Sequence, residues 1–176
     1  MSYKQSTIWT IGHSTLTLDE FISRLKSFHI KKVADIRSLP GSRRFPHFNK
    51  ESLEISLPEN GIAYIHLKEL GGRRKTKPDS VNTGWRLPAF RGYADYMETE
   101  DFKNAIHDLE EIARIERFAL MCSEVLWWRC HRSLVSDYLK LQGWTVIHIM
   151  DNGKAQEHPF TSPAKIVNSE LQYPDE

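Results

Sequence analysis

Short apolar runs alternate along the chain with stretches in which apolar residues recur every three or four positions. The runs Ile8 to Ile11, Lys32 to Ile36, Ala63 to Leu67, Phe118 to Met121 and Thr145 to Ile149 are four or five residues long. Runs this short and apolar on both faces suit strands of a parallel sheet covered by helices. Between them, Thr17 is followed by Glu20, the spacing of a capping box, and Phe21, Leu25 and Phe28 then share a helical face. From Thr99 to Glu116 the stripe Phe102, Ala105, Ile106, Leu109, Ile112 and Ala113 is the clearest helical pattern. A further helix is expected from Arg132 to Leu141, ending before Gly143, and a shorter one from Asn49 to Leu57, stopped by Pro58. The alternation predicts a three-layer α/β fold, a mostly parallel sheet of about five strands flanked by helices.

The stretch from Leu70 to Arg91 breaks this pattern. It is rich in glycine and basic residues, contains Pro78 and Pro88, and has no periodicity. Loops this long inside compact domains are commonly functional or disordered. The chain of 176 residues fits a single domain over 1–176, with a core at about 7–150 and a C-terminal tail at 151–176 expected to wrap the surface.

Charge changes the picture only locally. Lys and Arg number 24 against 23 Asp and Glu, so no bulk bias draws the chain to nucleic acid or to a membrane. Between Gly71 and Arg91, however, Arg73, Arg74, Lys75, Lys77, Arg86 and Arg91 face Asp79 alone. No apolar run is long enough to span a membrane, and the first is too short for a signal peptide. Two cysteines are too few for a secreted disulfide framework, so the cytoplasm, with reduced thiols, is the expected compartment.

Open parallel sheets bind ligands outside the carboxyl ends of their strands. Here those ends carry reactive side chains. The first leads into His13, the second into Asp35, Arg37 and Arg43, and the third precedes Arg73. The fourth delivers Cys122, Glu124, Arg129, Cys130, His131 and Arg132. Placed between a strand and a helix N-terminus, and close to Arg129 and Arg132, Cys122 is expected to favour the thiolate, and Cys130 has the same claim. The same surroundings suit a phosphate or carboxylate. Cys122 thus reads as a nucleophile or redox thiol, as a metal ligand, or as a buried core thiol. Glu124 is a candidate acid or base, or a partner of Arg132 or Arg37. His13 and His131 are candidate proton carriers, or a turn cap and a helix start. Asp35 either takes part in catalysis or orients an arginine or histidine. Arg37, Arg43, Arg73, Arg91, Arg129 and Arg132, with Cys130, form the candidate ligand-binding set.

Thr-Ile-Gly-His-Ser at 10–14, Asp-Ile-Arg at 35–37, Pro-Gly-Ser-Arg at 40–43 and Leu-Gly-Gly-Arg at 70–73 make up a recognisable set. It continues with Phe-Arg-Gly-Tyr-Ala-Asp-Tyr-Met at 90–97, Leu-Met-Cys-Ser-Glu at 120–124, Cys-His-Arg at 130–132 and His-Ile at 148–149. On these residues the chain resembles the DUF488 family, a domain of unknown function, from about Thr7 to Met150. The resemblance implies a compact α/β protein and brings no reaction with it. Many members carry a proline between the first cysteine and Cys-His-Arg, where this chain has Trp127 and Trp128. A weaker similarity is to rhodanese-like domains, which also pair an early Asp-x-Arg strand end with a strand–Cys–loop–helix. The Cys-x5-Arg spacing of cysteine phosphatases is missed, because position 128 is Trp and the arginine is Arg129.

The leading expectation is an enzyme or binding protein for a small anionic ligand, phosphorylated or nucleotide-like, using a Cys/Arg/His site at the strand ends. A second is a nucleic-acid-binding module built on the basic 71–91 loop, with Trp85, Phe90, Tyr93, Tyr96, Trp127 and Trp128 available for stacking. A third is a metal or haem protein using Cys122, Glu124, Cys130 and His131. The cofactor, the substrate and the oligomeric state are left open by the sequence.

Overall fold

A computed structural model describes residues 6–150 and 154–175. Five apolar runs form strands: β1 (Thr7–Gly12), β2 (Lys32–Asp35), β3 (Ala63–His66), β4 (Phe118–Cys122) and β5 (Thr145–Ile149). They are parallel, and β6 (Ala155–Glu157) adds antiparallel to β5, giving the order β3-β2-β4-β1-β5-β6. Five helices flank the sheet: α1 (Leu18–Ser27), α2 (Lys50–Glu59), α3 (Pro88–Tyr96), α4 (Glu100–Ile115) and α5 (Arg132–Leu141). The α/β fold with a mostly parallel sheet is therefore as expected, with one more strand.

Strand alternation sorts the core into two layers. Ala119 and Met121 of β4 join Trp9, Ile11 and Val33 under Phe21, Leu25, Leu53 and Leu57 of α1 and α2. Phe118, Leu120 and Cys122 point the other way, with Ile8, Ala34 and Ile36, under residues of α3, α4 and α5. Each fully buried Leu or Phe stabilises such a layer by roughly 1.5–3 kcal/mol. Cys122 and Arg132 thus share the α3–α5 side of the sheet.

The helix starts follow local chemistry. Thr17 and Glu20 form the capping box of α1, each side chain bonding the other's backbone N–H at 3.1 Å. Thr99 caps α4 by accepting from the Phe102 amide at 3.2 Å. Pro58 does not stop α2, which runs on to Glu59. One missing backbone bond in the last turn costs little there, and Asn60 closes the helix by donating to the Ser56 carbonyl at 2.8 Å.

The non-periodic stretch is shorter than expected, and it is ordered. Pro88 opens α3 at its first position, where the absent N–H is no loss. The buried Asp95 carboxylate of α3 then gathers the loop, accepting from the Lys77 amide, the Ser80 hydroxyl and the Asn82 amide at 2.6–2.9 Å. Burial pushes this carboxyl up, but those hydrogen bonds outweigh it and hold the carboxyl below the ordinary range. The tail also does more than wrap the surface. Besides β6 it forms a hairpin of the exposed β7 (Lys165–Val167) and the half-buried β8 (Glu170–Gln172), three-residue strands with no alternating signature to announce them.

Gly92 lies where α3 meets the loop, and a Cβ there would sit 2.0 Å from the Arg74 carbonyl oxygen. Gly92→Ala is expected to lose roughly 1–3 kcal/mol or more in urea unfolding, since backbone must move to admit the methyl. Gly41→Ala, where a Cβ would meet nothing within 4 Å, should change stability little.

Candidate functional site

The carboxyl ends of β1, β2 and β4 open into one cleft of about 820 Å³. Past the strands the parallel ladder continues, with the His13 amide donating to the Cys122 carbonyl and the Ser14 amide to the Ser123 carbonyl, both at 2.9 Å. Only glycine fits at position 12, because a Cβ there would lie 1.8 Å from the Glu124 carbonyl oxygen. That contact seats the loop after β4 directly on the end of β1. Ser14 and Arg73, both lining the cleft, have φ of 46° and 62°, a left-handed backbone that costs a non-glycine residue about 1–3 kcal/mol.

Of the residues singled out from the sequence, His13, Arg37, Arg73 and Glu124 line the cleft walls. Cys122, Arg129, Cys130 and His131 line it as well. Arg43 and Arg91 do not; Arg91 Nε donates to the Trp85 carbonyl at 3.0 Å instead. Asp35 is fully buried behind Arg37 and holds its guanidinium through Nε at 2.9 Å and Nη2 at 2.7 Å. The Tyr64 hydroxyl donates to the same carboxylate at 2.6 Å, and Arg37 Nη2 also donates to the Phe48 carbonyl at 2.6 Å. Arg37 Nη1 lies 3.2 Å from His13 Nε2, and His13 Nδ1 lies 2.9 Å from the Ser14 carbonyl. His13 therefore carries its proton on Nδ1 and accepts from Arg37. Burial first, then the Arg37 charge, lowers its pKa to about 4, against a helping bond from Ser14.

His131 Nε2 donates to the Ile36 carbonyl at 2.8 Å, tying the start of α5 to the end of β2. Burial lowers its pKa to about 4 as well. Glu124 is exposed, and among the described residues its carboxylate forms no ion pair with Arg37 or Arg132, contrary to expectation; its backbone carbonyl is what Arg132 binds. The four donors expected for a metal do not form a metal-holding group. Among the described residues no group of three or more His, Cys, Asp or Glu is placed to hold a metal ion.

The two thiols do meet. Cys122 Sγ and Cys130 Sγ are 3.1 Å apart at the cleft floor. The Arg132 amide, at the start of α5, lies 3.4 Å from Cys130 Sγ. The hydrogen bond from Cys130 lowers the Cys122 pKa to about 7, opposed by burial and assisted by the Arg132 charge. Burial and then the Cys122 thiolate push Cys130 up, so the pair holds one proton between them near neutral pH.

Arg132 is only 1 % exposed and does not line the cleft, yet its charge acts on both thiols. Its Nη2 donates to the Glu124 and Val125 carbonyls at 2.9 and 3.3 Å, while among the described residues Nε and Nη1 have no hydrogen-bond partner. A buried cation with idle donors is costly unless an anion lies beside it. Behind it runs a polar chain that the sequence reading missed. Asp137 accepts from His158 Nε2 at 2.8 Å, from the Thr161 hydroxyl at 2.5 Å and from the Tyr173 hydroxyl at 2.9 Å. His158 Nδ1 then lies 2.8 Å from His148 Nε2, and His148 Nδ1 lies 2.5 Å from the Thr10 hydroxyl. Because a carboxylate only accepts, His158 donates to Asp137 through Nε2. Burial, with the Arg132 charge, keeps His148 neutral. Thr10 and His148 interrupt otherwise apolar strands, the one signal that could have revealed this chain.

The basic loop spends several of its charges internally. Arg74 lies 3.6 Å from the centroid of the Tyr96 ring and donates to the Glu69 and Gly71 carbonyls. Lys77 pairs with Glu98 at 3.5 Å. Arg73 is exposed at the cleft edge.

Two titrations should report this arrangement. His13 and His131 are held neutral below their unfolded pKa of about 6.5. The unfolded chain therefore takes up protons first, and stability should fall as pH drops from about 6.5 towards 4, by on the order of 2–3 kcal/mol per histidine. Urea midpoints across that range check it, and His131→Gln should flatten the fall. Separately, Cys122 alkylation should titrate near pH 7. In Arg132→Met, with folding verified by the same urea curve, the midpoint should rise towards the free-thiol value of about 8.5.

No curated protein and no solved structure matches the chain. The family described as domain of unknown function DUF488 does match, over residues 17–139, from the cap of α1 to the last turn of α5. That span holds Asp35, Arg37, both cysteines and Arg132, and with it the chain belongs to the DUF488 family.

Proposed function

We propose that the protein acts on a small anionic ligand through a Cys122 thiolate, with phosphorylated and nucleotide-like compounds as the first class to screen. The observation that carries this reading is Arg132: a buried guanidinium with two nitrogens unpartnered among the described residues, whose charge draws down a thiol pair at the floor of an open cleft. That charge helps lower the Cys122 pKa, and a low thiol pKa is what a nucleophilic cysteine needs.

The other arginines divide the work. Arg73 and Arg129 are exposed on the cleft rim and are the contacts for the ligand's anionic group. Arg37 is a positioning residue, because Asp35, Phe48 and His13 occupy most of its donors. His13 and His131, each neutral and bonded to a backbone carbonyl, shape the walls. The proton closest to the nucleophile is the one on Cys130, 3.1 Å away.

The test is the rate of Cys122 alkylation, followed by mass spectrometry, with and without inorganic phosphate. Phosphate should slow the reaction, and Arg73→Gln or Arg129→Gln should weaken that protection by about tenfold each, the worth of one charged hydrogen bond. Alkylation indifferent to phosphate and to other small anions would sink the reading. Salt-sensitive binding of an oligonucleotide that leaves the Cys122 rate unchanged would assign the basic loop to nucleic acid instead.

A further inference from the structure

A second thiol has no task in simple transfer of a phosphoryl or acyl group. It has one when the first thiol forms a bond to sulfur, because it can then displace whatever is attached. The two sulfurs stand 3.1 Å apart, both on the cleft floor, with the backbone N–H that opens α5 beside Cys130. From this juxtaposition we infer that the site is a dithiol reductant for disulfides bearing acidic groups, with Cys122 attacking and Cys130 resolving. The inference rests on the proposed role of Cys122 as nucleophile, and adds the bond that it breaks.

The steps balance. The Cys122 thiolate attacks one sulfur of R–S–S–R, forming Cys122–S–S–R and expelling one thiolate, which takes a proton from water. Cys130 loses its proton and attacks Cys122 Sγ, the Cys122–Cys130 bond forms, and the second R–S⁻ leaves. Two thiols are oxidised to one disulfide while the substrate disulfide is reduced to two thiols. An external dithiol is the reductant that returns the protein to its starting state.

The electrostatics favour this order. With Cys122 ionised, its charge and hydrogen bond hold the Cys130 proton in place. Once Cys122 is capped by sulfur that negative charge is gone. The Arg132 charge, which already draws Cys130 down, then acts on Cys130 without the opposing Cys122 charge. The first attack thus arms the second thiol. Acidic groups on the substrate suit the rim, where Arg73 and Arg129 are exposed.

The experiment uses 5,5′-dithiobis(2-nitrobenzoate), a dianionic and chromogenic disulfide, on reduced protein. Wild type should release two equivalents of the coloured thiolate and end with a Cys122–Cys130 bond and no adduct, read by non-reducing peptide mass. Cys130→Ser should release one equivalent and keep the adduct on Cys122. The neutral bis(2-hydroxyethyl) disulfide should react at least about tenfold more slowly, and Arg73→Gln with Arg129→Gln should erase that preference. Wild type that ends with an adduct on each cysteine overturns the inference. So does a neutral disulfide reacting as fast as the charged one. If wild type itself stops at one equivalent with the adduct kept on Cys122, while that reaction stays under phosphate control, only the resolving role fails. If Cys122 is inert in both proteins, the proposed function fails with it.

Discussion

A guanidinium sits where water does not reach, where its charge draws both Cys122 and Cys130 down and helps keep His148 neutral. Arg132 spends one nitrogen on the Glu124 and Val125 carbonyls and leaves two without partners among the described residues. Those two carbonyls belong to the loop that follows β4, so the same side chain that polarises Cys122 also holds the loop carrying it. The loop in turn rests on Gly12, whose missing side chain lets the Glu124 carbonyl approach the end of β1. Remove the charge and the thiol loses its counter-ion; crowd the glycine and the loop loses its seat.

Burial decides which arginines remain available. Three with similar standing in the sequence have three fates. Arg132 is enclosed by the core, Arg37 is locked by Asp35, and Arg73 stands free at the rim on a left-handed backbone. The buried ones set potential and shape, and the free ones can meet a ligand. A cleft assembled in this way keeps a buried positive charge close to its thiols without offering every cation to solvent.

The C-terminal tail is part of this machinery. His158 and Thr161 reach back to Asp137 on α5, and the Tyr173 hydroxyl joins them from just beyond β8. Trp127, two residues before Arg129, stacks on His148 with ring centroids 4.6 Å apart. The tail thus clamps α5 from the side opposite the cleft, and α5 carries Arg132 at its first position. Positional accuracy at the thiols is inherited from a hydrogen-bonded chain that extends to Thr10 in the middle of the sheet.

Periodicity and short range chemistry were enough to read much of this from the chain alone. The five parallel strands, the boxed start of α1, the stripe of α4 and the gathering of Cys, His and Arg at strand ends all follow from local patterns. α3 and the tail strands did not, because their order comes from distant partners: Asp95 for the basic loop, and β5 for β6. Sequence also placed Arg132 among the ligand contacts and expected Glu124 to pair with an arginine. Only the tertiary structure decided otherwise, since a residue at a helix start can face core or cleft, and packing under β4 turned this one inward. The contact between Cys122 and Cys130 is of the same kind. Eight positions apart, they met because the close approach at Gly12 and the bond from His131 to Ile36 folded the loop back on itself, and distance in space is the one quantity a linear pattern does not carry.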